Sequence, residues 1–134
     1  MQVIEGNGRK NVTNLIKNKG EEFVRHGDVL LVRVHNTEEI KDKAGKLVAT
    51  GTNIVQKGEL TGHAHRLSSR GSAQTEIFAN IENPDERFVA VMGEEGAMLT
   101  HEEHKQVNLD EGLYKVVIER EFDPTTELTQ RVYD

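Results

Sequence analysis

The 134 residues contain no cysteine, which removes disulfides, thiolate catalysis and cysteine-based zinc sites from consideration. A chain of this length is expected to form one domain with an adequate core. With 17 basic against 23 acidic residues, a net charge of −6 and no basic stripe interleaved with aromatics, it lacks the footprint of a nucleic-acid binder. Aromatics make up 4% and tryptophan is absent, so Val, Leu and Ile must fill the interior, which favours β structure.

In chain order, residues 1–20 are polar and rich in Gly, Asn and Lys, and read as an N-terminal arm or short helix. His26-Gly27-Asp28 is a turn signal, and Val29 to Val34 is a short, β-branched run expected as a buried strand. The charged stretch 38–46 reads as a loop or frayed turn. Leu47 to Thr50 and Thr52 to Gln56 read as strands around Gly51. Further strands are expected at 63–69, 75–81, 87–92, 97–99 and 106–109. Ser69-Arg70-Gly71, Asn83-Pro84-Asp85, Gly93-Glu94-Glu95-Gly96 and Asp110-Glu111-Gly112 supply the turns between them. The alternation from Leu113 to Phe122 predicts a long final strand ended by Asp123-Pro124, and residues 124–134 read as a tail. Many short strands at this spacing predict a small all-β domain over 21–123, either a barrel or a jelly-roll-like sandwich. No run approaches 18 apolar residues and no signal-peptide pattern opens the chain, so the expectation is a soluble cytoplasmic protein. A homo-oligomer is compatible with such terminal segments.

Four of the six histidines fall into two clusters, Thr61-Gly62-His63-Ala64-His65 and Thr100-His101-Glu102-Glu103-His104. Side chains two apart on a strand share a face, so His63 and His65 can converge on one ion. Thr100-x-x-Glu103 has the form of a capping box. A helical turn starting there would set His101 and His104 three apart on one face. His63, His65, His101 and His104 are therefore the expected metal ligands. Nitrogen donors suit zinc best, with iron, nickel or copper as alternatives. Glu102 is the candidate general base beside a metal-bound water, against the plainer reading of a solvated loop charge, and Glu59 is a candidate partner for a ligand N–H. His26 and His35 have no partner at ligand spacing and read as ordinary surface or turn residues.

Gly58 followed by His63-Ala64-His65, with a further histidine supplied later, resembles the cupin superfamily over about residues 58–104. The resemblance implies a small β-barrel whose metal is held by His63, His65 and either His101 or His104. The glutamate that cupins carry shortly after the paired histidines is missing from Arg66-Leu67-Ser68-Ser69-Arg70, and Glu76 comes late. Two functions follow as expectations. One is a metal-dependent enzyme, hydrolytic or oxidative. The other is a non-enzymatic binding or assembly module in which the histidines are structural or surface residues. The sequence names neither a substrate nor a protein partner.

Overall fold

Phe88-Val89-Ala90-Val91-Met92 is an uninterrupted apolar run, a pattern that a strand sustains only when both its faces are covered. The computed structural model, which describes residues 2–5, 8–11, 15–16, 22–43, 45–58 and 62–119, provides both covers. Its strands are β1 (Gln2–Glu5), β2 (Gly8–Asn11), β3 (Phe23–His26), β4 (Val29–Arg33), β5 (Leu47–Ala49) and β6 (Ile54–Lys57). They continue with β7 (Ala64–Ser69), β8 (Gln74–Asn80), β9 (Asn83–Met92), β10 (Ala97–Thr100), β11 (Val107–Leu109) and β12 (Gly112–Ile118). Eight form one sheet in the order β2-β1-β5-β8-β9-β12-β4-β3, and four form a second in the order β11-β10-β7-β6. All neighbours pair antiparallel except β1 and β5, which run parallel.

The chain is therefore all-β, as expected. Of the two architectures anticipated, the closed barrel does not form among the described residues, where each sheet ends in edge strands that do not pair with one another. Those edges are short: β6 has four residues with a register shift between Ile54 and Gln56, and β11 has three. Short or bulged edges resist further pairing.

Period-two alternation sorts the large sheet's side chains into two cores. Val29, Leu31, Ile77, Val89, Val91, Tyr114 and Val116 face the small sheet, where they meet Val55, Leu67, Ala97, Leu99 and Leu109. Their sequence neighbours Phe78, Phe88, Ala90 and Leu113 face the opposite way, under Leu15, Val34 and Ile40. Leu15 belongs to the N-terminal segment expected as an arm or short helix. That segment instead supplies β1 and β2 to the large sheet. The tail at 124–134 and the last residues of the predicted final strand lie outside the described residues. The charged stretch after β4 forms two short 3-10 turns, Thr37–Glu39 and Lys41–Lys43.

Arg33 continues the inward face of β4 and is almost fully buried. Its guanidinium donates to Glu111 O at 3.0 Å and to Tyr114 Oη at 2.8 Å, and lies 4.8 Å over the Tyr114 ring. Gly112 is required beside it, since a Cβ there would collide with Arg33 Nη1. These contacts fix the β11–β12 turn against β4.

Candidate metal centre

Three segments meet at one end of the sandwich: the β3–β4 turn, the start of β7 and the loop from β10 to β11. There the edge strand β3 of the large sheet runs beside β11 of the small one without pairing to it.

His26 closes β3, whose residues alternate out, in, out, in, so its ring follows Val24 into the interior. It is 2% exposed, which corrects its reading as a surface or turn residue. His65 on β7 is 1% exposed. The two rings meet with Nδ1 and Nδ1 2.9 Å apart. On the far side of each ring, His26 Nε2 lies 3.1 Å from Lys105 O and His65 Nε2 lies 3.0 Å from Asp28 Oδ1. Burial is the main force that lowers both imidazoles' affinity for a proton, with neighbouring histidine rings adding to it. His26 is brought down to about 4, and His65 is lowered despite the opposing pull of Asp28.

His101 and His104 close the cluster from the loop. The His101 ring lies 4.5 Å from His65 and 4.6 Å from His104, centroid to centroid, and the His104 ring stacks on His65 at 5.6 Å. The helical turn expected at 101–104 is absent, and the segment is a bend. Thr100 is committed to the β10 ladder opposite Arg66, and the Glu103 N–H donates to His101 Nδ1 at 3.0 Å. His104 owes its place to Gly27, whose φ is +63° and whose missing Cβ would stand 2.5 Å from His104 Nε2.

Nitrogen atoms of His65, His101 and His104 lie within 4.8 Å of one another, so these three could hold a metal ion. His63, the fourth expected ligand, departs from the strand geometry because β7 begins only at Ala64, after a turn at Gly62. Its ring lies 5.7 Å from His101, and with His101 and Glu102 it makes a second group of donors within the same reach. That second group is the weaker one chemically. Glu102 Oε1 accepts the Ala64 N–H at 2.7 Å and Oε2 pairs with Arg66 Nη1 at 2.9 Å. The Ala64 amide, with help from Arg66, holds the Glu102 carboxyl below its ordinary range, so it is a clasp between loop and strand and a poor proton acceptor. Glu59 lies outside the described residues. His35 stands away from the cluster, 3.8 Å from Glu22.

The residue that sequence reasoning missed is His26. The signal that reveals it is alternation: Phe23-Val24-Arg25-His26 puts Val24 and His26 on one face, two residues apart.

No helix among the described residues is long and apolar enough to cross a membrane. No curated protein matches the chain. No solved structure matches it either. Residues 25–119, from the residue before His26 to the end of the described chain, match a family described as Domain of unknown function (DUF8820). That span carries both sheets' central strands and every histidine of the cluster, and the chain is a member of this family.

Proposed function

We propose that this protein binds one divalent transition-metal ion, zinc foremost, through His65, His101 and His104. The observation that carries the reading is the convergence of three imidazoles from two separate segments, with nitrogens inside 4.8 Å of one another. Nitrogen donors of this kind suit zinc, and also copper, nickel or iron, and disfavour magnesium or calcium. The partner of the His65 ring supports it: a ring nitrogen facing a carboxylate, as His65 Nε2 faces Asp28 Oδ1 at 3.0 Å, is what orients a metal-bound histidine.

Within that reading, binding is favoured over hydrolytic or oxidative chemistry. Glu102, the residue expected to assist a metal-bound water, has its carboxylate engaged by Ala64 and Arg66. The metal's role is then to fasten the β10–β11 loop to the sheets.

Calorimetric titration of chelator-stripped protein with Zn(II) tests the proposal. One ion per chain is expected, with affinity lost in His65→Ala and His104→Ala. Absence of binding in the unaltered protein would refute it.

A further inference from the structure

His26 falls outside the three-histidine group, yet its position is the hardest to account for without an ion. A backbone carbonyl only accepts, so a hydrogen on His26 Nε2 points to Lys105 O. An ionised carboxylate only accepts, so a hydrogen on His65 Nε2 points to Asp28 Oδ1. A neutral imidazole carries a single N–H. Both Nδ1 atoms are then left as lone pairs, facing one another at 2.9 Å between two rings that are 2% and 1% exposed. Two lone pairs at that separation, shielded from water, repel unless they share a cation.

We propose that His26 Nδ1 is a fourth ligand, so that His26, His65, His101 and His104 surround one ion in a closed shell. In this arrangement Lys105 O and Asp28 hold the first two rings in the tautomer that offers Nδ1. The proposal rests on the metal-binding reading above and extends it. Two nitrogens of a tetrahedral zinc shell at Zn–N distances of 2.0–2.1 Å stand about 3.3 Å apart, so the facing pair at 2.9 Å has only to part by a few tenths of an ångström to take an ion between them. Imidazoles bound at that distance place their ring centres roughly 5 Å from one another. The six separations among these four rings run from 4.5 to 6.4 Å. A single shared proton would account for the contact between His26 and His65, but not for two more rings gathered around it.

A shell of four protein nitrogens is the closed, structural kind of zinc site, with no position kept for substrate. It also has a consequence for the fold. His26 belongs to the large sheet, His65 to the small sheet, and His101 and His104 to the loop between β10 and β11. The ion cross-links the two sheets where the edge strands β3 and β11 approach without pairing.

Co(II) titration of the stripped full-length chain, followed by visible absorption, tests this. The unaltered protein should bind one ion with the strong bands of a four-coordinate nitrogen shell. His26→Ala and His26→Gln should weaken binding by more than the roughly 10–100-fold expected for loss of an outer partner, and the bands should change as water enters. Added imidazole should restore them in His26→Ala. Asp28→Asn should fall within that roughly 10–100-fold range and keep the band shape. If His26→Ala keeps the unaltered affinity and spectrum, His26 is not a ligand and only the three-ring site stands. If His104→Ala changes nothing while His26→Ala and His65→Ala abolish binding, His26 is upheld as a ligand, but the closed four-histidine shell and the three-histidine donor set both fail. No Co(II) or Zn(II) binding by the unaltered protein overturns both. Should the His26 variants fail to fold, ring-nitrogen NMR of the unaltered chain gives the answer. Zn(II) should move the Nδ1 resonances of His26 and His65, and an unmoved His26 Nδ1 would refute the proposal.

Discussion

Gly27 and His26 show how much of this site depends on single positions. At φ +63° the backbone of Gly27 is left-handed, and the space its Cβ would take is occupied by the His104 ring. Gly27→Ala is therefore expected to cost about 1–2 kcal/mol from the backbone alone and, in addition, to push His104 out of the cluster. Denaturant melts and Zn(II) affinity measured together check both effects. His26 contributes to the response to acid. Its folded-state proton affinity, brought down to about 4 by burial and by the neighbouring histidines, lies below the ordinary value of 6.5. Between those two values the unfolded chain holds a proton that the folded chain does not, so stability falls as pH drops through that window. Urea midpoints of stripped protein from pH 7 to pH 4 should decline, and His26→Asn should flatten the slope. His26 was not legible by spacing, because its partners are 39 and more residues away, and ligand motifs count only near neighbours. His65, His101 and His104 were legible because clustering along the chain happened to match clustering in space. His63 was expected to share a strand face with His65, an inference that depended on where β7 begins.

Strands were easier to read than bends. The runs at 29–34, 47–50, 75–81 and 87–92 became β4, β5, β8 and β9 because short, β-branched apolar runs bounded by turn signals suit strands with faces to cover. The capping-box pattern at 100–103 was overruled by tertiary structure: once Thr100 pairs with Arg66 in the β10–β7 ladder, its backbone is extended and cannot start a helix. β3 escaped notice because Phe23 and Arg25 are exposed and only Val24 and His26 turn inward. The same logic predicts where truncation will hurt. Phe88 lies in the second core, against Leu15, Ile40 and Phe78. Phe88→Ala should cost roughly 3–5 kcal/mol in urea unfolding, as expected for a large aromatic removed from a packed interior. A loss near zero would mean that this face of the large sheet is not a core.

At the scale of the molecule, composition indicated a β protein but could not tell a closed barrel from two open sheets. That distinction is decided by whether the edge strands of the two sheets, β3 with β11 and β2 with β6, pair, a matter of a few edge hydrogen bonds that no periodicity encodes. The unpaired edges of β3 and β11 flank the histidines, which makes the site a candidate lock for the whole sandwich. Zn(II) at a thousandfold excess over its dissociation constant should raise unfolding free energy by about 4 kcal/mol, since an ion that binds only the folded chain adds its binding energy to stability. A melting temperature that rises with Zn(II) in the unaltered protein and not in His65→Ala would bear this out. The most direct measurement is X-ray absorption at the zinc edge of the loaded, unaltered protein. The account predicts one zinc per chain in a shell of imidazole nitrogens, four if His26 joins and three with one oxygen if it does not. A shell of oxygens with at most one imidazole would contradict it.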